Sequence, residues 1–264
     1  MHSRHSMTEF FDTHAHLDFP DYAEDLEAVV ERATAAGITR IVTIGTTLEG
    51  SARAVAIAER FPSVFAAVGV HPGHMDESPD EIRPMLRDLA RHPKVVAIGE
   101  TGLDFYRDWA PVDKQYEKFE MQIELAKRVR KPLIIHSRSA GSKCITMLTS
   151  KGAETVGGVF HCFAENAEFA KRLWEIGFYV SFPGLLTFKK AEEVRAICAA
   201  IPLEQILVET DAPFLAPEPH RGKRCEPAFV AETAKRLAAI KGLSLEEVAE
   251  ITTQNTLKLF STMR

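Results

Sequence analysis

Short apolar runs recur along the whole chain, each ending in polar, Gly or Pro residues. They are FFDTHAH at 10–16, RIVTIGT at 40–46, VFAAVGVHP at 64–72, VVAIGETGLD at 95–104, PLIIHS at 132–137, GGVFHC at 157–162, FYVSFPG at 178–184 and ILVETDAP at 206–213. Unbroken apolar bodies of this length predict strands buried on both faces, as in a parallel sheet. The stretches between them change to helical periodicity. DLEAVVERATAAG at 25–37 puts Leu26, Val29, Val30 and Ala33 on one face, and KFEMQIELAKRVRK at 118–131 repeats Met121, Ile123, Leu125 and Val129 before Pro132 stops it. Eight such alternations, at roughly 20–35 residues each, predict a closed (β/α)8 TIM-type barrel. A doubly wound open sheet would carry a GxGxxG turn after its first strand, and that turn is absent. Beyond the eighth strand, a loop over 213–226 leads to a helix near 227–240, and SLEEVAEI and QNTLKLF predict two short closing helices.

Composition narrows the class. The chain has 264 residues, 45% of them hydrophobic, which supports a large core and excludes disorder over most of its length. No low-complexity linker divides it, so residues 8–264 are expected to form one domain, with the leader 1–7 an expression remnant or a mistaken start. A net charge of -5 excludes a surface that binds polyanions all over, so any nucleic acid must meet a local basic patch. There is no apolar run of the roughly 20 residues a membrane span needs, and MHSRHSM has no hydrophobic stretch behind it to act as a secretory signal. A cytoplasmic protein with no membrane contact and no obligatory protein partner is expected. The four cysteines form no C-x-x-C pair and are expected to be free thiols.

The candidate chemistry lies where the strands end. His14 and His16 close the first run, His71 the third, His136 the fifth and His161 the sixth, while Glu100 and Asp211 fall at the ends of the fourth and eighth. In a barrel these ends share the C-terminal rim, where active sites are built. Residues i and i+2 of a strand share a face, so His14 and His16 project together. Imidazole with carboxylate suits Zn, Mn or Mg, and six ligands exceed what one tetrahedral zinc uses. Two divalent ions are therefore expected. Glu100 would bridge them, His14, His16 and Asp211 would hold one, and His136 and His161 the other. Asp211 is also the candidate to accept or orient the proton of an attacking water, and His71 to donate to the substrate or its leaving oxygen. Asp12 and Glu209, two residues deeper on the same faces, are expected to orient the ligands.

A cationic collar is expected above this rim. Arg107, Arg138, Lys189, Lys190, Arg221, Lys223 and Arg224 all follow strand ends, and HRGKR at 220–224 could meet successive phosphates. Arg107, Arg138, Arg221, Lys223 and Arg224 are the candidate substrate contacts. Phe105, Tyr106 and Trp109 are candidates to stack unpaired bases, or to fold back as an apolar lid.

Taken in order, DTHAHLD, GVHP, AIGETGLDFY, PLIIHSRSA, GVFHCF, SFPGLLTFKKA, LVETDAPFLAPEPHRGKRCEP and NTLKLF resemble the signature segments of the TatD family of metal-dependent hydrolases, from Phe11 to Phe260. The resemblance implies a TIM-type barrel of the amidohydrolase-like superfamily and a divalent metal centre. It also implies deoxyribonuclease activity of 3'-to-5' exonuclease character, and ligands at His14, His16, Glu100, His136, His161 and Asp211. Gly73 between Pro72 and His74, Ala164-Glu165-Asn166 after HCF, and Cys225 depart from the usual pattern on the substrate side. The expected function is hydrolysis of phosphodiesters in single-stranded DNA. The alternative is hydrolysis of amide, ester or lactone bonds, aminoacyl esters included, at the same centre. A non-catalytic barrel that uses the metal structurally is disfavoured, because structural sites are closed.

Overall fold

The computed structural model describes residues 8–263, so the leader expected at 1–7 lies outside the described residues. Eight strands form one parallel sheet in sequential order: β1 (Phe10–Ala15), β2 (Ile38–Ile44), β3 (Val64–Val68), β4 (Val95–Asp104), β5 (Leu133–Arg138), β6 (Gly158–Phe160), β7 (Phe178–Phe182) and β8 (Ile206–Val208). The helices between and after them are α1 (Leu26–Ala35), α2 (Leu48–Arg60), α3 (Arg83–Ala90), α4 (Val112–Val129), α5 (Gly141–Ser150), α6 (Ala167–Glu175), α7 (Glu192–Ala200), α8 (Val230–Lys241) and α9 (Leu245–Leu259). This is the TIM-type barrel that the apolar rhythm predicts.

The seam between the first and last strands is closed mainly by bonds beyond the end of β8. Thr13 Oγ1 donates to the Val208 carbonyl at 2.9 Å, the Asp211 amide to His14 at 2.9 Å, and the His16 amide to Ala212 at 2.7 Å. Asp12 ties the same seam. Its Oδ1 accepts the amides of His14 (3.2 Å) and Thr210 (2.9 Å), and its Oδ2 the Thr210 hydroxyl. Among the described residues Asp12 hydrogen-bonds to no imidazole; it holds the backbone around His14 and Thr210.

Apolar side chains fill both sides of the sheet. Val42, Ile44, Ala67, Val96, Ile134, Val159 and Leu207 form an inner cluster closed by Phe260 and Met263, and the larger cluster lies between strands and helices. The period-2 alternation of β5 carries the inner face upward from Ile134 to His136, while His161 follows the end of β6 and Glu209 and Asp211 lie beyond the end of β8.

Helix boundaries follow local chemistry. Thr47 caps α2 by accepting the Gly50 amide at 2.9 Å, and Asn166 caps α6 by accepting that of Phe169 at 2.9 Å. α1 buries Leu26, Val29, Val30 and Ala33, as the periodicity predicts. The two closing helices expected from SLEEVAEI and QNTLKLF are one, α9. Ser244 and Glu247 start it with a reciprocal capping box. The Thr252-Thr253 pair does not break it, because both hydroxyls bond back to carbonyls one turn earlier. From α9 the buried Asn255 donates to the carbonyls of Leu203 (2.9 Å) and Ile206 (3.0 Å), fixing the entry to β8.

Candidate metal centre

Glu100 sits near the middle of the rim, 3% exposed, with its two oxygens facing different partners. Oε2 lies 3.4 Å from His14 Nε2 and 3.8 Å from His16 Nε2. Oε1 lies 2.9 Å from His161 Nε2, 3.0 Å from His136 Nδ1 and 3.5 Å from His71 Nε2. Asp211 completes the first side, with Oδ1 3.4 Å from His16 Nε2 and 3.7 Å from His14 Nε2. The six expected ligands thus converge, although they come from five strand ends. His14, His16 and Asp211 form one compact group. Around Glu100, His14 groups with His161, and His71 with His136. Gly102, at φ +138°, allows this approach, because a Cβ there would overlap the His136 carbonyl.

Hydrogen bonds assign the rings. His16 Nδ1 faces the Ile44 carbonyl at 3.3 Å; a carbonyl only accepts, so this nitrogen carries the proton and Nε2 turns a lone pair toward Asp211. His71 is the reverse case. Its Nδ1 accepts the Gly73 amide at 2.9 Å, so in the neutral ring the proton is on Nε2, the atom facing Glu100. Burial pushes His71 down to about 3, so the ring is neutral near pH 7. In this arrangement His71 presents a donor rather than a lone pair toward Glu100.

The remaining polar atoms fit a cation. Among the described residues, neither ring nitrogen of His14 makes a hydrogen bond, nor does Nδ1 of His161, and all three atoms are buried. Such orphaned nitrogens are costly unless something else satisfies them. Burial opposes ionisation of Glu100, yet His161, His71, His136 and His14 outweigh it and hold the carboxyl well below its usual range. Asp211 is likewise lowered: burial raises it, and His16, His14 and His161 more than compensate. Burial would also neutralise His16, His136 and His161, but the facing carboxylates reverse this and raise all three. Four imidazoles around two ionised carboxylates is a donor set for a divalent ion, which would replace the protons those rings otherwise attract.

A family model described as TatD related DNase matches residues 11–261. The chain belongs to this family. It is 45% identical over 250 residues to the metal-dependent hydrolase YabD of Bacillus subtilis, covering 95% of this chain and 98% of that one. It is 39% identical over 252 residues to the metal-dependent hydrolase YcfH of Escherichia coli K12, covering 94% of each. The crystal structure of YjjV, a TatD homologue from Escherichia coli K12, superposes with a TM-score of 0.90 at 33% identity, over 96% of this chain and 98% of that one. The protein is thus a TatD-family metal-dependent hydrolase. Among the described residues, no helix is long and apolar enough to cross a membrane.

Above this cluster of candidate ligands opens a cleft of about 570 Å³, walled by Phe19 and Phe214 on one side and by Trp109, Arg107 and Arg138 among others. Of the expected cationic collar, Arg107 and Arg138 line this cleft. Arg138 lies over the Tyr106 ring at 4.1 Å and Arg107 over Trp109 at 5.4 Å. The structure does not bring Arg221, Lys223 or Arg224 into the same wall. Arg224 donates to both oxygens of Asp25 at 2.8 Å and lies over Tyr22, and Arg221 is held by the Ala216 carbonyl at 2.8 Å and by Phe188 at 3.7 Å. Lys223, Lys189 and Lys190 lie away from that wall. Phe105 packs toward Tyr116, with ring centres 6.1 Å apart, whereas Tyr106 and Trp109 are about half exposed or more. Glu209 lies below His161, 3.6 Å from Nδ1, and binds the Ser181 hydroxyl and the Cys162 amide.

Four residues of the site escape sequence reasoning: Phe19, Phe214, Asp104 and Gln115. Phe19 stacks on His16 at 4.6 Å and meets Phe214 edge-on at 6.1 Å. Asp104 ends β4 four residues after Glu100, an even spacing on the same strand, and that was the available signal.

Proposed function

We propose that this protein hydrolyses phosphodiester bonds in single-stranded DNA, working inward from an end with two divalent ions held at the rim. The observation that carries the reading is Glu100, whose two oxygens face two separate sets of imidazoles at the floor of a cleft walled by arginine and aromatic side chains. His14, His16 and Asp211 would hold one ion and His136 and His161 the other, with Glu100 between them. Bound there, divalent cations supply Lewis-acid polarisation of the scissile phosphate and make water more acidic.

The chain's own residues supply the rest. Asp211 is ionised and its side chain is 15% exposed at the cleft floor, so it is placed to orient a water and take its proton. His71 Nε2–H donates into the same space, suited to a phosphoryl or leaving oxygen. Arg107 and Arg138 meet phosphates, while the exposed faces of Tyr106, Trp109 and Phe214 offer stacking surfaces to unpaired bases. A stacked duplex has no free base faces to offer, which favours single strands. The 3'-to-5' direction follows the family resemblance.

The test uses chelator-stripped protein reloaded with Mg, Mn or Zn and supplied with single-stranded DNA labelled at either end. Metal-dependent shortening from the 3' end is expected, and Asp211→Asn should slow it by about 100-fold or more. A variant as fast as the parent removes Asp211 from its role. Untouched DNA alongside cleaved esters, lactones or aminoacyl esters would move the assignment to the carbonyl-directed alternative.

A further inference from the structure

His136 is gripped from two sides. Its Nδ1 faces Glu100 Oε1 at 3.0 Å and His161 Nε2 at 3.4 Å, while its Nε2 faces Asp104 Oδ2 at 3.0 Å. Asp104, 1% exposed, has its other oxygen committed elsewhere: Oδ1 accepts the amides of Tyr106 and Arg107, both at 2.9 Å. These amides open the loop that brings Arg107 and Trp109 to the cleft, with Tyr106 exposed beside them. The loop is fastened again by the buried Gln115, which accepts the Asp104 amide at 2.9 Å and donates to the carbonyls of Asp104 (3.2 Å) and Ala110 (2.9 Å).

We propose that Asp104 is a positioning residue that serves the metal ligand His136 and the substrate loop at once, so that the state of one bears on the other. The proposal rests on the metal-centre reading given above. A carboxylate at Oδ2 keeps the ring proton on Nε2 and leaves the Nδ1 lone pair for a cation, and such partners orient ligating histidines in metal sites generally. The same carboxylate needs its second oxygen as an acceptor for two backbone amides. Asn has one acceptor oxygen and cannot satisfy both sides. Two amides outweigh one ring N–H, so the Asn oxygen stays with the loop and its NH2 turns to His136. There it donates to Nε2 and moves the ring proton to Nδ1, toward the centre. Asp104→Asn therefore separates the two duties, whereas Asp104→Ala removes both. Because the two duties share one group, coupling between cation and loop is reciprocal.

The experiment compares the full chain with Asp104→Asn and Asp104→Ala, each in a Trp174→Phe background, which leaves Trp109 as the one tryptophan of two. Mn²⁺ affinity is measured by calorimetry on stripped protein, and loop order by Trp109 fluorescence anisotropy. Circular dichroism verifies that each variant is folded. Asp104→Asn should weaken Mn²⁺ binding about 10- to 100-fold and leave the apo anisotropy unchanged. Asp104→Ala should weaken binding similarly and also lower the anisotropy. In the parent, Mn²⁺ should raise Trp109 anisotropy, a response Asp104→Ala loses. Parental Mn²⁺ affinity in folded Asp104→Asn overturns the role of Asp104 while the centre stands. A parent that takes up no Mn²⁺ removes the centre, and the proposal with it.

Discussion

The loop after β4 and the loop after β8 carry similar side chains and use them differently. The first has Arg107 with Phe105, Tyr106 and Trp109, the second Arg221 and Arg224 with Phe214, and each follows a strand whose end leads to a carboxylate at the rim. At the β4 side of the cleft, Arg107 and Arg138 have aromatic rings beneath their guanidiniums and no carboxylate bound among the described residues, so their hydrogen-bonding edges are available. After β8, Arg224 joins Asp25, Glu226 and the Asp21 carbonyl, and Arg32 joins the same two carboxylates. There the positive charge is used inside the protein, holding the loop to α1 and the turn before it. Charge in a sequence marks a partner only where the fold leaves its donors free.

Removing the first pair gives the largest effect. Arg107→Ala with Arg138→Ala should raise KM on single-stranded DNA about 10- to 100-fold with little change in kcat, since groups that bind distant phosphates hold ground and transition states alike. The same variant should flatten the dependence of log affinity on log salt by about 0.7 for each phosphate no longer neutralised, read by anisotropy titration across salt concentrations. A double variant with an unchanged salt slope would erase the distinction between the loops.

Arg224→Ala should act oppositely, leaving KM and salt slope near parental values and lowering the thermal midpoint by about 2–4 °C. If it raised KM as the first variant does, the β8 loop would join the substrate surface.

The smallest effect is its pH dependence. Asp25 is held down at about 2, first by its bond to Arg224, with burial opposing and Arg32 adding to the pull. A depressed carboxyl stabilises the fold above its unfolded pKa and stops doing so as pH falls through the folded value. The gap between parent and Arg224→Ala midpoints should be full at about pH 5 and shrink between about pH 4 and pH 2.

The sequence makes the barrel legible because most strands carry an apolar run that can be read without a distant partner. β4 falls at the boundaries its pattern predicts, whereas β6 and β8 are only three residues long. His161 follows β6 directly and Asp211 stands three residues beyond β8, where the backbone turns left-handed, at φ +58° for Asp211. Their residue types and order mark them; their exact geometry depends on irregular backbone that periodicity does not encode. Asp104 and Gln115 are harder to see, because a buried carboxylate and a buried amide resemble surface polar residues until the fold encloses them. The difference between Arg107 and Arg224 is hidden for a related reason: the Asp25 carboxylate that binds both sides of the Arg224 guanidinium lies 199 residues away, and only the closed barrel brings it there.

The join between first and last strands gives the hydrolase an unusual dependence. Among the described residues, bonds from Thr13, Asp12, His14 and His16 to residues 208–212 complete the hoop there. His14, His16 and Asp211 stand on the two sides of that join. Anything gripped by these three side chains also fastens the N-terminal end of the chain to its C-terminal third, as a clasp closes a bracelet, so ligand uptake adds to the stability of the closed circle.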